Sequence, residues 1–420
     1  MKHSTWLWAF TLITVILFTY ALPVNGAPPP SQNIALSPDY WPTYGWRAST
    51  PEEQGMSSAK LLEMEQQIAL LPWGSHVKSV LIIRNGYIVH ESYYDPAYGV
   101  NQIVNIYSCT KSVSSALIGI AIEEGHIGGV NETMVDLFEN RTIANLDSRK
   151  QAVILQYLLT MQSGIDWDEW PYGPTSSFTY MVDSPNWVQY VLDRPMRDDP
   201  GTVWDYNSGG SHLLSQILNQ TVGNSTRTFA EDRLFTPLGI TNYQWDEDPQ
   251  GVVFGAAWLH LRPRDMAKFG FLYLNNGTWD GDQLIPATWV NESTSLFGYP
   301  YSESEPYGYG YQWWLNLEIN GYLAIGYNGQ QINVVPEHNL VVVFTANSED
   351  ATFAAIMRDY VVASIEYETP TPVPFPFTFE QILLIGQVLM VVAFIAPFIG
   401  LIIHEMWIRK KRGQEKTSTT

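Results

Sequence analysis

Cysteine occurs once in the 420 residues, at Cys109, so no disulfide can form within the chain and the fold must rest on its core. Cationic side chains are scarce: 22 Lys and Arg stand against 42 Asp and Glu, a formal net charge of −20. Nucleic-acid binding depends on cationic contacts to phosphate, so this balance argues against nucleic acid as a partner. The 8 histidines form no H-x-H or H-E-x-x-H pattern and no Cys/His cluster at ligand spacing, so neither a metal nor any other cofactor is expected. Apolar matter is abundant, 45% hydrophobic and 14% aromatic, which suffices for a sizeable core.

The two ends differ from the rest. Residues 1–27 combine Lys2, an apolar stretch from Trp6 to Leu22 and the small residues Gly26 and Ala27, the pattern of a signal peptide. Residues 28–49 are rich in proline and polar side chains and read as an extended segment. Ile382 to Ile403 carries no formal charge, so 381–404 reads as one transmembrane helix, in which Pro397 is tolerable. Arg409, Lys410, Lys411 and Arg412 follow, which places the tail 405–420 in the cytoplasm and the body outside a cell membrane crossed once. Residues 368–380, with prolines at 370, 372, 374 and 376, read as a stiff spacer. Sequons at Asn131, Asn140, Asn219, Asn224, Asn276 and Asn291 all fall in the outer part and suit a glycoprotein. The sequence carries no signal for an oligomeric state.

Within the body, 50–367, period decides the elements. A helix from Ser57 to Leu71 precedes two alternating runs, His76 to Arg84 and Tyr87 to Tyr94, joined by the hairpin dipeptide Asn85-Gly86. Helices and loops follow: Ile154 to Thr160, Trp187 to Leu192, Ser211 to Gln220, Thr228 to Leu234 and Arg264 to Asn275. Strand patterns return in Tyr309 to Glu318, Tyr322 to Ile325, Gln331 to Val335 and Leu340 to Thr345, before a closing helix from Ala351 to Glu366. This order predicts an α+β sandwich, an antiparallel sheet built from N- and C-terminal strands, flanked by helices and interrupted by an inserted, mainly helical region. Ser163 to Ser184 reads as a long loop whose aromatic residues, Trp167 among them, suit a substrate wall, with Asp166 and Asp168 able to meet a cationic amine.

Chemistry concentrates at Ser108-Cys109-Thr110-Lys111. The pattern S-x-x-K puts a serine and a lysine on one helix face, nucleophile beside proton acceptor. It occurs three times, and surroundings separate the copies. Ser57 caps an amphipathic helix, and Ser75 leads into a strand, where i and i+3 face opposite sides. Only Ser108 opens a helix apolar nearly all round, from Val113 to Ile122, hence buried. A lysine in its first turn loses hydration, and its pKa should fall. Cys109 projects from a different face and packs as a small hydrophobe. His212 and His260 read as structural. A second polar turn carries Tyr206-Asn207-Ser208, where a nearby ammonium would lower the phenol's pKa and make it a usable base.

With both pieces the chain resembles the serine β-lactamase and penicillin-binding-protein superfamily, in particular its class C-related esterases of the family VIII type, D-aminopeptidases and 6-aminohexanoate-dimer hydrolases. Ser108 and Lys111 match the first motif, and Tyr206 matches the tyrosine of Y-x-N, with Asn207 one residue early and Ser208 at the asparagine's place. The third motif, K-T-G or H-x-G, aligns with Ala324-Ile325-Gly326, which leaves Ala324 where the cation would be. The resemblance implies an acyl-enzyme on Ser108, proton transfer by Lys111 and Tyr206, and an oxyanion held by the backbone N–H groups of Ser108 and Tyr327. It also places Asn207, Ser208, Gly326, Asn328 and Gly329 near the substrate, beside Trp167 and Asp168 of the loop. The implied substrate is a small or peptide-like amide or ester. The missing cation argues against β-lactamase and transpeptidase activity.

Overall fold

The computed structural model describes residue 38 and residues 40–302, 305–365 and 379–416. The expected signal peptide, residues 28–37 of the extended segment, nearly all of the spacer and the last four residues of the tail lie outside the described residues. Two compact units emerge, Met1–Glu366 and Tyr367–Thr420.

In the first unit, seven strands form one antiparallel sheet: β1 (Val77–Arg84), β2 (Tyr87–Tyr93), β3 (Tyr307–Tyr309), β4 (Trp314–Asn316), β5 (Gly321–Gly326), β6 (Gln330–Val335) and β7 (Leu340–Ala346), ordered β2-β1-β7-β6-β5-β4-β3. The N-terminal hairpin therefore joins the C-terminal strands through β1 and β7, with Val80 opposite Phe344 and Ile82 opposite Val342. Asn85 and Gly86 both take positive φ, 52° and 85°, as a tight primed turn requires.

The central strands are apolar at consecutive positions because both faces are covered. Val80, Ile82, Val342 and Phe344 face one cluster with Leu61, Met64 and Ile68 of helix α1 (Ser58–Leu70) and with Phe353, Met357 and Val361. Leu81, Ile83, Val341 and Val343 face the other, shared with helices α2 (Cys109–Glu123), α3 (Ser208–Thr221) and α4 (Pro263–Leu274). Alternation along one strand thus feeds two cores. Gly270 of α4 lies so close to the sheet that a Cβ there would sit 2.7 Å from Val341 Cγ1.

Three local expectations need correction. The stretch Ser163 to Ser184 is not all loop: Ser177–Asp183 is helical, started by Ser176, whose hydroxyl accepts from Thr179 N–H. The run Tyr309 to Glu318 is split into β3 and β4 by a turn in which Gln312 takes φ 62°. The closing helix begins at Ala354, not Ala351, and widens at Met357–Val361 before ending at Ser364.

In the second unit, one helix runs Phe379–Lys416 with Pro397 inside it. Its stretch Met390–Lys410 is long and apolar enough to cross a membrane.

Candidate active site

Helix α2 is buried from Cys109 through Ala121. Small hydroxyls anchor it: Ser112 donates to Gln312 O at 2.7 Å and Ser114 to Gly255 O at 2.8 Å. The chain reaches its N-terminus through Val104–Asn105, paired with Leu259–Leu261, and then through Tyr107, whose φ of 46° is a left-handed value for a bulky residue. That turn carries strain of about 1–3 kcal/mol and sets Ser108 as the residue that opens the helix. The N-terminal end of a helix favours negative charge, which suits a serine oxygen that gains it.

Lys111, one turn on, is 2% exposed. Its Nζ donates to Ser108 Oγ at 3.1 Å, Ser208 Oγ at 3.1 Å and Ala256 O at 2.9 Å. Burial pulls its pKa from 10.5 down to about 8, against the opposing pull of Glu169. The expected fall is therefore present. A lysine amine held so against a serine hydroxyl can take its proton once neutral.

Tyr206 meets the same hydroxyl, but its pKa moves opposite to expectation. Burial pushes the phenol well above its ordinary value, and the hydrogen bond with Ser108 only partly offsets this. The ring packs with Met161 and Tyr309, and the Lys111 ammonium lies over its face, 4.8 Å from the centroid. An ammonium placed there is attracted to the π cloud rather than to the oxygen. Tyr206 therefore stands protonated, as a donor.

Ser108 and Tyr206 open onto a cleft of about 710 Å³, and Trp167, Asp168, Gly326, Tyr327, Asn328 and Gly329 all reach its wall. Strand β5 ends beside the turn that leads to Ser108: a Cβ on Gly326 would sit 2.2 Å from Ile106 O. This contact brings the end of β5 against the turn before Ser108, and the Tyr327 ring meets Tyr107 edge-on at 5.7 Å. Asn328 holds φ 61°, which an asparagine tolerates.

Other expected residues lie elsewhere or are engaged. Asn207 is turned away from the cleft: its carbonyl oxygen caps α3 by accepting from Gly210 N–H at 2.8 Å. Ser208 lies behind the wall on Lys111. Asp166 and Asp168 are not free for an amine, because Arg194 and Arg197 pair with Asp166 and Arg197 also reaches Asp168. His212 is fully buried against Asp248 at 3.0 Å, a structural pair. Ala324 is buried in β5 opposite Ile332. Cys109 Sγ points at Gln330 O, 3.6 Å away, inside the core.

The residue that sequence reasoning missed is Glu169. It is 3% exposed and accepts from Ser208 Oγ at 2.6 Å and Trp167 Nε1 at 2.6 Å. Its only sequence signal is its place in an aromatic-rich loop.

A serine hydroxyl between a buried lysine and a buried tyrosine, at a helix start beside an antiparallel sheet, defines a serine-hydrolase architecture. The beta-lactamase family model matches residues 76–366, and the chain belongs to that family of serine hydrolases. It is similar to the 6-aminohexanoate-dimer hydrolase of Paenarthrobacter ureafaciens, 22% identical over 292 residues, which are 63% of this chain and 70% of that protein. Among solved structures it is similar to a candidate 6-aminohexanoate-dimer hydrolase from Bacillus anthracis, with a TM-score of 0.62 and 20% identity over 76% of this chain and 86% of that one. It is also similar to a D-stereospecific amidohydrolase from Streptomyces, with a TM-score of 0.57 and 16% identity over 72% of this chain and 98% of that one. At these identities the structural likenesses establish the fold.

Proposed function

We propose that this chain is a membrane-tethered hydrolase that cleaves an amide or ester through an acyl-enzyme on Ser108. The observation that carries the reading is a serine hydroxyl hydrogen-bonded to the buried Lys111 and set beside the buried Tyr206, where burial depresses the pKa of the amine and raises that of the phenol. Neutral Lys111 takes the Ser108 proton as Oγ bonds to the substrate carbonyl carbon. The backbone N–H groups of Ser108 and Tyr327 hold the developing oxyanion. Tyr206 gives its proton to the leaving nitrogen or oxygen as the C–N or C–O bond breaks, and recovers one from Lys111. Water then attacks the acyl carbon by the reverse route and frees the acid.

The substrate on this reading bears no carboxylate that needs an anchoring cation. Ala324 stands where the family's Lys or His would hold one. Arg197, on the cleft wall, is already engaged by Asp166, Asp168, Asp198 and Asp205. Aromatic walls from Trp170, Tyr172, Trp204 and Trp314 suit an apolar or aromatic acyl group. The relatives' names, an amide-dimer hydrolase and an amidohydrolase, fit the same bond types.

The body, 50–367, acts outside the cell on this reading. A cleaved segment 1–27 leads it, 368–380 spaces it from the bilayer, 381–404 crosses once, and the basic tail 405–420 stays in the cytoplasm. The asparagines at 131, 140, 224, 276 and 291 are exposed, as glycan acceptors must be.

Ser108→Ala tests the assignment. Turnover of a p-nitrophenyl ester and of a linear amide dimer should fall by about 10⁴-fold or more, and fluorophosphonate labelling should vanish, with the circular dichroism unchanged. Wild-type turnover by that variant would sink the nucleophile. A wild-type protein that takes no probe would instead indicate a binding module on the same fold.

A further inference from the structure

Glu169 lies too deep for a solvated loop carboxylate, and its carboxyl is met by four donor groups from three residues. Oε1 accepts from Ser208 Oγ at 2.6 Å and from the Tyr172 hydroxyl at 3.0 Å. Oε2 accepts from Trp167 Nε1 at 2.6 Å and from Ser208 N–H at 3.1 Å. An indole and a backbone N–H can only donate, so this is the acceptor set of a carboxylate. Among the described residues no ion pair includes Glu169, and a buried charge without one is expensive to keep.

The count of hydrogens around Lys111 gives this charge a task. Ser208 has one hydroxyl hydrogen, and Glu169 takes it, so the Ser208 oxygen can only accept from Lys111. Ala256 O can only accept as well. A neutral amine has two hydrogens and one lone pair. With both hydrogens committed to Ser208 and Ala256, the lone pair is left facing the third neighbour, Ser108 Oγ, at 3.1 Å.

We propose that Glu169 is a positioning residue that acts through Ser208: it fixes the direction of the Ser208 hydroxyl, thereby aims the Lys111 lone pair at Ser108, and its charge sets the pH at which that lysine becomes neutral. The proposal rests on the reading of Lys111 as the proton acceptor. Tyr172, which also lines the substrate wall, donates to the same carboxylate, so one group ties the wall to the base. The other titratable groups facing the ammonium are Cys109 on its own helix and Tyr206 on the turn before α3; the segment carrying Ala256 presents only a carbonyl. Glu169 is the one carboxylic acid among them, and it leads the groups that oppose the effect of burial on the lysine, ahead of Cys109.

Glutamine is the informative replacement, because it keeps shape, loses charge and cannot accept from four donors. The experiment measures kcat/KM for a p-nitrophenyl ester against pH on the full-length chain in detergent, scaled to active sites titrated with a fluorophosphonate. Glu169→Gln should move the acid limb down by about half a pH unit or more and lower the plateau about tenfold or more. Glu169→Asp, which keeps the charge, should hold the limb near its wild-type position. A limb unmoved in Glu169→Gln overturns the proposal whatever the plateau does, since misfolding alone lowers the titrated sites and not the limb. If Glu169→Gln does not fold, Ser208→Ala decides: a wild-type plateau per titrated site overturns the proposal, and a fall of about tenfold supports it. Failure of the underlying reading looks different, as a wild-type chain that the probe leaves unlabelled.

Discussion

Hydrolysis should rise with pH through about 8 and then level, because only neutral Lys111 can accept the Ser108 proton. Removal from water pulls the lysine from 10.5 to about 8. At pH 7 a group titrating near 8 is neutral about one time in ten, whereas a solvated lysine is neutral about three times in ten thousand. Burial thus enlarges the reactive fraction about 300-fold, equivalent to about 3 kcal/mol at constant intrinsic reactivity. The sign follows from the direction of the shift: a depressed lysine gains its working form as pH climbs through the folded-state value. Tyr206, pushed far upward by burial, stays protonated across this range and adds no limb of its own. The assay is kcat/KM for a p-nitrophenyl ester between pH 6 and 10, corrected for spontaneous hydrolysis. One acid limb of unit slope with a midpoint near 8 is expected. A profile flat from pH 6 to 9, or a midpoint near 10.5, would refute the reasoning, because either shows that no desolvated lysine controls the step. Lys111→Arg, which keeps the charge and cannot release its proton, should lose about 10³-fold or more at every pH.

Two further outcomes follow from the same burial. Below about 8 the folded protein buries Lys111 charged, and between about 8 and 10.5 it holds fewer protons than the unfolded chain, so wild-type stability should gain about 3 kcal/mol on Lys111→Met over that interval; denaturant midpoints of the two proteins at pH 7.5 and 10.5 test this, and a constant difference contradicts it. Cys109 is fully buried and its thiol is pushed up by desolvation, so a thiol reagent should modify it only after denaturation and leave activity untouched; rapid labelling of the native protein would show that α2 opens.

The buried placement of Ser108 and Lys111 was legible because the signal is local and redundant. Thirteen consecutive buried residues follow Ser108, and the apolar run from Val113 to Ile122, broken only by small residues, separates this S-x-x-K from the copies at Ser57 and Ser75 without any knowledge of the tertiary fold. The hairpin at Asn85-Gly86 was legible for the same reason. The helix Ser177–Asp183 was not, since Pro171, Gly173 and Pro174 dominate its neighbourhood and only the cap at Ser176 marks its start. The direction of the Tyr206 shift was also out of reach. Sequence can bring an ammonium near a tyrosine, but it is the tertiary fold that sets the ammonium over the ring face at 4.8 Å and buries the phenol.

Glu169 and Ser208 show why a motif read position by position can misjudge a departure. An asparagine side chain offers a donor and an acceptor, so it can face a lysine and a substrate with the roles fixed by its own chemistry. A serine offers one hydroxyl that can rotate either way, and at position 208 alone it would leave the lysine's partner undefined. The carboxylate that removes this freedom comes from 39 residues upstream, in a loop where Asp166 and Asp168 are paired with arginine near the surface and only Glu169 turns inward. The apparent loss at one motif position is therefore offset by a residue outside every motif, and the pair should be mutated together before either is judged dispensable. If the two act as one unit, Glu169→Gln combined with Ser208→Ala should cost little more than the worse single change.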